Sequence, residues 1–110
     1  MNTTKKNQYR QGDVLVERID QLPKQTKIVP REKGRVILAH GEATGHAHAI
    51  ANPKVKLHSA PGETATFLEV QEAMAALKHD EHATIDLPKG IYRVTRQREY
   101  TPEAIRNVAD

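Results

Sequence analysis

The sequence has no cysteine and no tryptophan, one phenylalanine and three tyrosines. Without cysteine, disulfides and thiolate metal sites are excluded, as is a cysteine nucleophile. With so few aromatics, a core must be built from Val, Ile, Leu and Ala. No run approaches the roughly 18 apolar residues that a membrane-spanning helix needs. The N-terminal "MNTTKKNQYRQGD" lacks the apolar stretch of a secretory signal, so a cytoplasmic protein is expected. Neither a phosphate-binding loop nor a G-x-S-x-G nucleophile motif occurs. Ser59 is the only serine. On a strand it would face away from its neighbour His58, which argues against a serine-histidine hydrolase.

The chain is 110 residues long and carries a formal net charge of +3. That length fits one domain with a modest core. The charge permits phosphate contacts without requiring them. Residues 1–11 are polar and read as a flexible arm, leaving residues 12–110 as a single domain. Alternating apolar positions predict strands in "GDVLVERI", "RVILAH", "HAHAI", "VKLHS", "TATFLEV" and "GIYRVTRQREY", with "RVILAH" as a central strand. "GEATG" fits a five-residue hairpin loop. Between residues 20 and 34, two prolines and several basic residues predict a long loop with at most a short extended piece. Residues 71–78 suit either a helix or a strand. "TPEAIRNVAD" predicts a short terminal helix, with Thr101 as N-cap and Pro102 at the first helical position. The expected fold is mainly β, a small barrel or sandwich of short antiparallel strands with a C-terminal helix.

Histidine carries the functional signal. His46 and His48 are two apart on a predicted strand, so they share a face. Closing the "GEATG" hairpin symmetrically sets His40 opposite His46 and Leu38 opposite His48. Three imidazoles in an apolar wall need partners, and a divalent cation accepts three nitrogen lone pairs. Zinc is the first expectation; added carboxylates would suit manganese, iron or nickel. His79 and His82 flank the Asp80-Glu81 pair and could complete the shell at a hairpin tip. Glu42 and Glu81 are candidate proton carriers for a metal-bound water, should the site be catalytic. The lone His58 reads as a hydrogen-bonded core residue. An alternative without metal is a structural protein with a pH-sensitive histidine cluster.

The H-x-H pair after a glycine (Gly41, then His46-Ala47-His48) and the Pro88-Lys89-Gly90 sequence resemble the two motifs of the cupins, small metal-binding β-barrels. The chain departs from that pattern twice. No glutamate follows between Ile50 and Pro53, and Arg93 stands where the second motif has histidine. The resemblance implies a metal on His46 and His48, with His40, His79 or His82 replacing the missing ligands. A second likeness, to the small β-barrel co-chaperonins, rests on chain length and on the "DVLVERI" and "GRVILA" strands. A separate expectation concerns the strand carrying Arg93, Arg96 and Arg98 between Tyr92 and Tyr100. Basic and aromatic residues so interleaved can bind nucleic acid by phosphate contact and stacking. A protein partner or a homodimer is the remaining expectation.

Overall fold

The computed structural model describes residues 7–41 and 45–97. These residues are mainly β, with antiparallel pairing throughout and no helix among them. The helix expected at 101–110 lies outside the described residues. Eight strands run in chain order: β1 (Gln8–Gln11), β2 (Val14–Ile19), β3 (Lys27–Ile28), β4 (Val36–His40), β5 (Ala47–Ile50), β6 (Val55–Ser59), β7 (Thr66–Leu77) and β8 (Ile85–Arg96). Six form one sheet in the order β1-β2-β8-β7-β6-β3; β4 and β5 form a second. The larger sheet is open, with β1 and β3 at its edges. Among the described residues, no helix is long and apolar enough to cross a membrane.

Alternation explains most of these strands. In β2, Val14 and Val16 are fully buried while Leu15 and Glu17 are half-buried. They pair with Arg96 and Val94 of β8, so one face of both strands supplies the core. Leu68 and Val70 of β7, Val55 and Leu57 of β6 and Tyr92 of β8 continue it. The small sheet packs on the same core through Val36 and Ile50. Tyr92 stacks edge-on with Tyr9 at 6.2 Å between centroids. Its hydroxyl donates to the Pro88 carbonyl and accepts from Arg18, whose guanidinium lies over the ring. A buried tyrosine thus has both an apolar body and a satisfied polar tip.

Three expectations change and one open choice is settled. The boundary at residue 12 falls too late, because Gln8–Gln11 form β1 and close a hairpin onto β2. The two-residue turn Gly12-Asp13 makes that hairpin, with Gly12 at φ 59°, where glycine is favoured. Residues 71–77, helix or strand by composition, belong to β7; pairing with β8 on one side overrides the helix formers. Pro88-Lys89-Gly90, a turn in the cupin motif it resembles, here runs within β8. "RVILAH" is a strand of the two-stranded sheet, not a central one. The loop expected over 20–34 does carry only a short extended piece, β3.

Leu68 is fully buried in the middle of the core. Leu68→Ala should cost about 2–5 kcal/mol of unfolding free energy, the range for large-to-small core changes. A urea titration measures it, as a lower midpoint at unchanged slope.

Candidate metal centre

The two sheets join where β5 meets the end of β7. Ala49 and Lys78 form an isolated antiparallel bridge. Ala49 N–H donates to the Lys78 carbonyl at 3.0 Å, and Lys78 N–H donates back at 2.9 Å. Continuing that register by one residue sets His48 opposite His79, and by two more His46 opposite Glu81. The rings follow: His48 and His79 have centroids 4.2 Å apart, His46 and His79 5.8 Å. His82, across the β7–β8 connection, is 4.7 Å from His79 and 6.0 Å from His48. Four of the chain's six histidines therefore share one cluster. Gly12 and Gly41 wall it. A Cβ on Gly12 would come 2.8 Å from His82 Nε2, and one on Gly41 2.9 Å from His46 Cβ.

His48 is the best-defined member. It is 2% exposed, and its Nδ1 lies 2.8 Å from Gln11 Oε1. The Gln11 amide nitrogen donates to two carbonyls, Leu77 at 3.0 Å and Ala83 at 2.9 Å. Carbonyls only accept, so the amide orientation is set and Oε1 must be an acceptor. His48 Nδ1 therefore carries the proton, and the Nε2 lone pair is left available. Burial first, and then the His79 charge, push the His48 pKa down to about 4, so the ring is neutral near pH 7. Asp13 Oδ1 lies 3.8 Å from His48 Nε2. Burial alone would raise the Asp13 pKa, but hydrogen bonding and charge from Arg96 outweigh it and hold the carboxyl below its usual value. Arg96 Nε donates to Asp13 Oδ2 at 2.8 Å. A lone pair and a carboxylate thus face one another without a proton between them.

The other rings are less committed. His79 Nδ1 accepts the Glu81 backbone N–H at 3.0 Å, which places the proton of the neutral ring on Nε2. His46 Nδ1 stands 3.8 Å from the exposed Glu81 carboxylate. Among the described residues, no three His, Asp or Glu side chains are arranged to hold a metal ion as they stand.

The structure corrects the position of His40. Its Cα partner is Ala47, and His48 pairs with Ala39. The turn closes between the Gly41 N–H and the His46 carbonyl, one residue off the symmetric closure, and a bulge between Ile37 and Ala39 restores the inner register. A one-residue slip moves a side chain to the other face. The His40 imidazole instead lies 3.4 Å from Glu32, with both side chains largely exposed. Glu42 lies outside the described residues. His58 fits the bland reading. Its Nε2–H donates to Glu69 at 3.1 Å and its Nδ1 faces the Thr26 hydroxyl at 3.3 Å.

In the basic strand, Tyr92 is fully buried and offers no exposed ring for stacking. Arg93 pairs with Glu17 and Arg96 with Asp13. Arg98 and Tyr100 lie outside the described residues. The sequence did not single out Gln11 or Asp13, and it pointed to Arg96 only as part of the basic strand. Asp13 and Arg96 are 83 positions apart, and the one local hint was a polar Gln11 at an inward position before a Gly-Asp turn.

Fold and site together define a mainly antiparallel β-domain with a histidine cluster where its two sheets join. A family described as Domain of unknown function (DUF8820) matches residues 10–97, and the chain belongs to it. No curated protein and no solved structure matches the chain.

Two outcomes test this geometry in metal-free protein. Because the folded His48 pKa lies below the ordinary 6.5, the unfolded chain binds more protons between the two values. The contribution of His48 to stability is then fully present above pH 6.5 and falls as pH drops toward about 4. Imidazole proton NMR should show the His48 midpoint near pH 4, and a plain pH 6.5 midpoint for it refutes the burial argument. Gln11→Leu removes partners from two carbonyls and from His48 Nδ1–H, and should cost about 1–3 kcal/mol in denaturant unfolding.

Proposed function

We propose that this domain binds one divalent metal ion, zinc first, through His48 of β5, His46 just before that strand, and His79 and His82 of the β7–β8 connection, with Asp13 as carboxylate neighbour. The observation that carries this reading is the His48 imidazole. It is buried and neutral, with its Nδ1 proton held by Gln11 and its Nε2 open toward Asp13. Ligating histidines characteristically donate their other N–H in this way, which fixes the tautomer and raises basicity. Imidazoles alone favour zinc; Asp13 in the shell would extend the range to iron, manganese or nickel.

Metal loading requires His79 to release the Glu81 N–H or to turn over, since its Nδ1 is engaged. That side chain lies in an irregular connection rather than in a ladder, where such a change is inexpensive. His46 and His48 then play the part of the cupin H-x-H pair, with His79 and His82 in place of that family's remaining donors. We read the fold as a small open sandwich and the protein as cytoplasmic. A bound ion would supply a Lewis acid and an activated water. The exposed Glu81 carboxylate, near His46, is the residue placed to carry a proton.

Metal analysis and thermal melts of purified, untagged protein test the proposal. At a hundredfold its dissociation constant, an ion should add about 2.7 kcal/mol of stability, reversed by EDTA. The His46→Ala/His48→Ala double variant should lose that response. His40→Ala and His58→Ala should keep it. Equal responses in all variants, or none in the parent, overturn the reading.

A further inference from the structure

Beyond the histidines, Asp13 leads to a second feature through Arg96. A cavity of about 180 Å³ opens between the two sheets beside Arg96. Thr64 and Thr66 line one side, and the apolar side chains of Val14, Leu38 and Val94 line its floor and roof. Ladder register explains the grouping. Val14 pairs with Arg96 and Thr66 with Val94, while the exposed Thr64 stands in the bend just before β7. Paired residues share a face, so the side chains of Arg96 and Thr66 belong to the inner face of the large sheet, and Thr64 lines the cavity from the bend. The bulge of β4 brings Leu38 and Ala39 over them.

The chemistry of this cavity is distinct from that of the histidines. Arg96 uses Nε on Asp13. Among the described residues, nothing is seen on its two terminal nitrogens, which form the planar fork that grips an oxyanion in two parallel hydrogen bonds. Two threonine hydroxyls can donate to the same anion. Apart from Thr95 the remaining wall is apolar, which suits a short hydrocarbon chain better than a second charged group. The volume is about that of six water molecules at roughly 30 Å³ each. We propose that this cavity binds a small aliphatic monocarboxylate, its carboxylate on Arg96, Thr64 and Thr66 and its chain between Val14, Leu38 and Val94. The cavity uses none of the histidines, so it stands whether or not they hold a metal.

The test is a backbone amide NMR titration of full-length, EDTA-treated protein with acetate, butyrate or inorganic phosphate at constant ionic strength. Butyrate should give saturable shifts centred on Thr64, Thr66 and Arg96, and acetate the same shifts more weakly. Thr66→Val keeps shape and the Asp13–Arg96 pair while removing one donor; it should weaken butyrate roughly tenfold. Arg96→Gln should abolish saturation. The proposal is overturned if butyrate gives no saturable shift, if phosphate binds and the carboxylates do not, or if Thr66→Val binds butyrate like the parent. Because metal is removed throughout, a failure here leaves the metal reading untouched, and failure of the metal assay leaves this result untouched.

Discussion

One side-chain amide holds the functional end of this molecule together. Gln11 leaves β1, donates to carbonyls on either side of the β7–β8 connection, and accepts from His48 on β5. Three separate pieces of chain are tied by one group that is 2% exposed. An amide offers both polarities, so it can satisfy two acceptors and one donor at once, as neither a carboxylate nor an ammonium can. Apolar packing can place β5 near β7, but it cannot decide which imidazole nitrogen keeps its proton. Gln11 decides that, and the direction of the His48 lone pair follows.

The strands were legible where alternation is strong. β2, β6 and the second half of β8 each read correctly from their apolar positions, because one of their faces meets the core, while β5 is buried along its whole length. β1 was not legible, since its inward residues are Tyr9 and Gln11 and its outward ones Gln8 and Arg10. A buried glutamine gives no hydrophobic signal. The alanine-rich half of β7 was undecidable by propensity, and only its partner β8 settles it. The pair His46 and His48 was legible from a spacing of two. His40 was misplaced because hairpin register depends on how a loop closes and on a bulge, neither of which is written in the side chains that flank it. Asp13 and Arg96 meet only through the β2–β8 ladder, a contact no local window contains.

The histidine cluster as it stands is close without being converged. His48 is constrained from two sides, whereas His79 and His82 come from a connection that makes few ladder hydrogen bonds. That division is physically reasonable for the proposed ion site. A fully rigid set of four neutral rings would need other partners for every lone pair, and an entirely loose set would lose much entropy on ordering. One fixed donor with adaptable neighbours limits both costs. The glycines at 12 and 41 serve the same end, because any side chain there would fill the space the rings need.

Asp13 lies between the Arg96 guanidinium, on one oxygen, and the unprotonated Nε2 of the neutral His48 ring, near the other. Its carboxylate can neutralise only one full charge. A cation at the histidines would draw on the same carboxylate that now balances Arg96, and would leave the guanidinium with a larger unmet charge facing the neighbouring cavity. An anion there would then be bound more strongly, and by thermodynamic reciprocity the anion would strengthen the cation by the same factor. Coupling between the two proposed sites would need no moving part. It would follow from one carboxylate serving both within a partly buried space, where charges are screened less than at the surface.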